Sequence, residues 1–122
     1  MYIQRIAVPA VTDAGGNATV YSESITGVIL GIVYVKTDFT DGVDVVVTAE
    51  TTAQPIVTMT DVNASAVFYP RSATHDVTGA PAVFAVGGAA VREPVPVANE
   101  RVKFVVSSGG NTKSGTFYVL VG

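Results

Sequence analysis

Short runs of alternating apolar and polar residues, broken by glycine, proline and asparagine, fill most of this chain. Arg101 to Val106 sets Val102, Phe104 and Val106 against Arg101, Lys103 and Val105. Val43 to Ala49 sets Val43, Val45 and Val47 against Asp44, Val46 and Thr48. Thr116 to Val121 puts Phe117, Val119 and Val121 on one face. A period of two is that of a half-buried strand, because successive side chains point to opposite faces. The same reading places strands at Tyr2 to Val8, at Thr19 to Ser24 as the second arm of a hairpin, and at Ile56 to Thr60. Val83 to Val86 reads as a short strand ended by Gly87 and Gly88. Turn chemistry separates them: Thr12 to Asn17, Asp38 to Gly42 and Ser107 to Gly115 are rich in residues that tolerate tight or left-handed backbone. Pro94 and Pro96 bracket Val95, and a residue that cannot donate to a ladder suits at best an edge strand. No stretch of twelve residues carries a capped helical stripe.

One run departs from alternation. Ile25 to Val35 reads ITGVILGIVYV, eleven residues without a charge. A membrane-spanning helix needs about 20 apolar residues. Ile, Val and Thr favour a strand here, and apolar residues on both faces mark one that is central or covered on both sides. Gly27 and Gly31 then mark a bulge or a close approach of another backbone. Asp61 to Pro81 is the least regular segment. Its length, about 20 residues, exceeds that of an ordinary loop and points to a functional arm. These signals describe an all-β chain: one β-sandwich domain over residues 1–122, or a jelly-roll-like barrel, of about seven or eight short antiparallel strands, with an irregular arm or loop around 61–81.

Composition sharpens this picture. There are 24 Val and 2 Leu, a β bias. Charged residues are 14% of the chain, well below the roughly 25% of ordinary soluble domains, and mean hydropathy is +0.45. Either Thr, Ser, Asn and Gly cover the surface or another chain does. Net charge is −3 and the seven Lys and Arg are never adjacent, so no basic patch invites nucleic acid or anionic lipid. The absence of cysteine removes disulfides, thiolate metal sites and cysteine nucleophiles, and suits a reducing cytoplasm. The opening residues do not read as a secretory signal, since Arg5 and Pro9 interrupt the apolar stretch. The sequons at Asn17 and Asn63 then read as turns.

Catalytic candidates are few. His75 is the only histidine, and Thr74 and Asp76 beside it in sequence do not make a triad. Asp38, Asp41 and Asp44 surround Gly42 without calcium-loop spacing. Gly87-Gly88 and Gly109-Gly110 lack the flanking elements of a phosphate cradle. No catalytic residue, cofactor site or metal site is assigned, and the chain is not expected to be an enzyme. Phe68, Tyr69 and Arg71 are residue types enriched at protein interfaces, and the same aromatics equally suit a loop tucked back on its own sandwich. With Tyr2 and Ile3 in a free N-terminal strand, they are the expected contacts between chains.

Several stretches together resemble a known pattern: Gly16-Asn17-Ala18-Thr19-Val20-Tyr21, Val33-Tyr34-Val35-Lys36, Asp41-Gly42-Val43-Asp44, Asn63-Ala64-Ser65-Ala66, Tyr69-Pro70-Arg71 with Ala73-Thr74-His75, Arg101-Val102-Lys103 and Gly115-Thr116-Phe117. Over nearly the whole chain they resemble small virion structural proteins of tailed bacteriophages. The resemblance implies a capsid decoration, or cement, protein, made in the host cytoplasm and located on the capsid surface. Its implied partner is the major capsid protein lattice, and its implied state a homo-oligomer, often a trimer. It involves neither nucleic acid nor membrane. A head–tail connector or tail component is the alternative within the virion, and a glycan-binding sandwich the alternative outside it. The absence of Trp weighs against the sugar site.

Overall fold

The computed structural model describes residues 2–122 and contains strands without helices. Eight antiparallel strands follow in order: β1 (Gln4–Val11), β2 (Ala18–Lys36), β3 (Val43–Ala49), β4 (Pro55–Val62), β5 (Ala66–Phe68), β6 (Arg71–Ala73), β7 (Arg92–Ser107) and β8 (Ser114–Val121). They form one open sheet in the order β1-β8-β2-β7-β3-β4, with β5 on β2 and β6 on β7. The all-β, sandwich-like class expected from the alternation is the fold the chain adopts.

The organising element is β2, a strand of 19 residues. Its first part, from Ala18 to Ile29, pairs with β7, and its second part, from Ile29 to Lys36, pairs with β8. Ile29 stands opposite both Val95 and Val121, so β7 and β8 lie on opposite edges of β2. These strands are not paired with each other, yet Phe104 of β7 stacks on Phe117 of β8 with ring centroids 4.7 Å apart. The two halves of the sheet therefore face each other across the core. Tyr34 stacks on Phe117 in turn, and Ile29, Ile32, Val45, Val102 and Val119 fill the space around the rings. The run ITGVILGIVYV is thus a central strand. The register slips between Ile25 and Gly27 and again between Ile29 and Gly31. Gly27 sits at φ +148°, and a Cβ there would lie 2.7 Å from the carbonyl oxygen of Gly122. That close approach is the reason for glycine.

Several local expectations are corrected. Thr19 to Ser24 and the apolar run after it are one continuous strand, because pairing passes from β7 to β8 without a break. β1 starts at Gln4, so Tyr2 and Ile3 precede it. β1 and β2 are joined by the turn at Thr12 to Asn17 but do not pair; β1 pairs instead with β8 along its whole length, from Gln4↔Val121 to Val11↔Ser114. Pro94 stands opposite Arg71 of β6 and Pro96 opposite Val28 of β2, in the part of β7 that β3 does not reach, since β3 pairs only with Val102 to Ser107. Val83 to Val86 forms only a single bridge, Val83 with Ala90. The protruding arm starts later than Asp61, because β4 runs to Val62 and β5 holds Ala66 to Phe68 against β2.

Candidate functional site: an exposed uncharged arm

After β5 the chain leaves the sandwich. Phe68 packs partly against the core and Pro70 is buried, which anchors the root. From Arg71 to Pro94 no residue is buried. The segment is nonetheless ordered by its own backbone. β6 pairs with the start of β7, Arg71 opposite Pro94 and Ala73 opposite Arg92. Beyond this, the Thr74 amide and hydroxyl both donate to the Val91 carbonyl, at 2.9 Å each. The Ala82 amide donates to Thr74 and the Val91 amide to Ala82, both at 3.0 Å. Three extended legs result, carrying two tight turns.

The first turn is held by Asp76. Its carboxylate accepts bonds from the Thr78 amide at 2.9 Å, the Thr78 hydroxyl at 2.7 Å and the Ala80 amide at 3.1 Å. The Thr78 hydroxyl is the main cause, ahead of these amides, that holds the Asp76 carboxyl below its ordinary value. The second turn closes through the Gly88 amide on the Ala85 carbonyl at 2.7 Å. Val77 and Val86 stand fully exposed on these turns, and Phe84 is 76% exposed between them. From Val77 to Val91 the sequence is VTGAPAVFAVGGAAV, fifteen residues without a charge. An ordered, solvent-facing segment with apolar tips and no charge has the surface chemistry of a contact rather than of a solvated loop.

The expected contact residues divide between two places. Tyr69, 68% exposed, and Arg71 stand at the root of the arm, next to the half-buried Phe68. Tyr2 and Ile3 lie elsewhere: with Gln4, Arg5, Ile6 and Glu23 they line an open groove of about 380 Å³. Phe84, Val77 and Val86 are contact candidates that the alternation did not single out. The signal that could have found them is the charge-free run, longer than the one in β2.

The residues with catalytic potential do not converge. His75 is exposed and bridges to Pro81 within the arm. Asp38 accepts bonds from the amide and hydroxyl of Ser114, Asp41 pairs with Lys36, and Asp44 accepts the Asp61 amide. Asp38 and Asp41 brace the segment between β2 and β3 through different partners, and Asp44 ties β3 to the end of β4. Among the described residues no cluster of three or more His, Asp or Glu is arranged to hold a metal ion. Comparison with protein-family models, curated protein sequences and solved structures finds no match.

Proposed function

We propose that this protein is a structural virion protein of a tailed bacteriophage that binds the assembled capsid lattice and stabilises it. The observation that carries this reading is the arm from Arg71 to Val91: ordered by main-chain bonds, uncharged over most of its length, and without a buried residue of its own. The resemblance of the chain to small phage virion proteins supports the same reading. The sandwich would fold first and present the arm ready-made, so that little ordering entropy is lost on binding. The partner would be the major capsid protein lattice. Many copies on a symmetric shell, each adding a modest contact, would multiply into strong attachment. Assembly as a homo-oligomer would multiply it further. Stabilisation follows by mass action, since a ligand that binds the closed shell and not the disrupted one favours the closed state.

Counting the protein against the major capsid protein in purified particles, by quantitative mass spectrometry, tests the proposal. A ratio near unity, or a fixed lattice fraction of it, is expected. A few copies per particle would move the protein to a connector or the tail. Absence from particles would overturn the virion reading.

A further inference from the structure

The sandwich has two outer faces, and they differ in kind. Outside β2, β7, β3 and β4, the register sets Thr58, Val46, Val105 and Thr19 in one row and Thr48, Lys103 and Tyr21 in the next. Arg101 lies over the Tyr21 ring at 4.2 Å and pairs with Glu50 beside it. Threonine and charge make this a solvated face. The face outside β5, β2, β8 and β1 is built otherwise. Val67, Val33, Tyr118 and Ala7 stand in one unbroken cross-strand row. Val35, Thr116 and Pro9 form the row on one side of it, and Gly31, Leu120 and Arg5 the row on the other. Their neighbours in the alternation, Val8, Ile32, Tyr34, Phe117 and Val119, fill the core, so these side chains point outward.

Area and charge decide what covers it. Side chains in strands about 4.8 Å apart, with about 3.3 Å of rise per residue, give these rows a footprint of roughly 400 Å² in projection, and more over their relief. Two such faces laid together remove about 1,000 Å² in total, the size at which a specific interface begins. Arg5 is the one charge in the three rows. It belongs to the outermost strand, and its guanidinium lies over the Tyr118 ring at 4.9 Å. An apolar centre around a tyrosine, an arginine at the rim, and no Lys, Asp or Glu is the composition of an interface. With no charge pattern to answer, the face asks only for a second apolar, pleated surface, packed against it as sheet on sheet. The chain carries that surface itself, and a second copy supplies it in equal number from synthesis onward.

We infer that the outer face of β5, β2, β8 and β1 joins two copies of this chain in an isologous, sheet-on-sheet contact. Such a contact uses the same patch on both sides, so it closes at two copies. The row from Val67 to Ala7 forms its centre, and Arg5 lies at its rim. The inference does not rest on the lattice reading. It uses no residue of the arm, and its test needs no particle.

Sedimentation velocity of the free, full chain over a micromolar concentration series reads the contact. The expected mass is twice the 12.5 kDa of one chain. Val35→Lys and Val67→Lys each place an ammonium in the contact, at sites 39% and 47% exposed in the single chain, where a lysine is compatible with folding. Each should weaken dimerisation by about a hundredfold or more, because the charge is buried without a partner and meets its own copy. Val46→Lys is the matched control: its site is 42% exposed but lies on the solvated face, so the dimer should persist. It should persist too when residues 75–89 are replaced by a short Gly-Ser turn. Thermal melting shows which variants are folded, and if one face variant is not, the other decides. A monomer throughout the series would overturn the inference, as would a dimer that survives the face substitutions. A trimer would overturn the isologous pairing. Dissociation by Val46→Lys, or by shortening the arm, would place the contact on the opposite face or on the arm and overturn it as well.

Discussion

Two buried polar side chains show how much single residues matter in so uncharged a chain. Glu100 is 5% exposed, and its carboxylate holds the turn after β3: it accepts the Thr52 hydroxyl at 2.8 Å and the amides of Thr51 and Thr52 at 3.1 and 3.2 Å. The Thr52 hydroxyl is the largest cause that draws its pKa below the ordinary 4.5, and burial opposes it. A carboxyl whose pKa is lowered by folding stabilises the native state above its unfolded value and loses that contribution as pH falls through the folded one. Melting temperature should therefore drop as pH is lowered from about 5 towards 3. In Glu100→Gln it should be lower at neutral pH and depend less on pH over that window; an unchanged acid slope would show that other carboxylates carry it. Tyr34 is the opposite case. Its ring stacks between Phe39 and Phe117, but its hydroxyl is buried with no hydrogen-bond partner among the described residues. Burial, with the charge of Asp41 second, raises its pKa. Removing an unpartnered hydroxyl while keeping the ring should stabilise, so Tyr34→Phe is expected to raise the unfolding free energy by up to about 1 kcal/mol in a urea titration. A loss of similar size would mean that the hydroxyl is hydrated.

At the scale of elements, the sandwich and the arm are energetically separate. Core stability comes from apolar burial, and no residue from Arg71 to Pro94 is buried. Replacing residues 75–89 with a short Gly-Ser turn should leave the melting temperature within a few degrees of the original, because the surface lost was solvated already. A large drop would show that the arm folds back onto the sandwich. The same division explains what was legible in the sequence. Alternation at Val43–Val47, Val102–Val106 and Phe117–Val121 identified buried faces, since side-chain period is a local property. Pairing is not local. Nothing in Gln4 to Val11 specifies β8, more than a hundred residues away in sequence, as the partner along its whole length. Proline in the stretch before Ala98 pointed to an edge, and there β7 pairs with β6 and β2 but lies outside the ladder with β3, which covers only Val102 to Ser107. The arm was half legible. Its irregular composition marked the region, while its root lay hidden because Ala66 to Phe68 adds to β2 through three residues, too few for a pattern.

For the whole molecule, the sheet ties the ends of the chain together: β8 lies between β1 and β2, so the last strand is inserted beside the first. Such a fold cannot be completed piecemeal, and its long-range pairing places folding in the millisecond-to-second range typical of sandwiches. A body that folds as one unit, with its arm outside that unit, suits a protein that would bind a shell after both are formed. The proposed stabilisation can then be measured on the shell itself. Particles stripped of this protein should resist heat better as it is added back, with a gain that saturates once the sites are filled. At a free concentration one hundred times the dissociation constant, each site should contribute about 2.7 kcal/mol to the closed state. The variant lacking residues 75–89 should remain folded and give no such gain. If it protects the shell as well as the full chain does, the arm is not the contact.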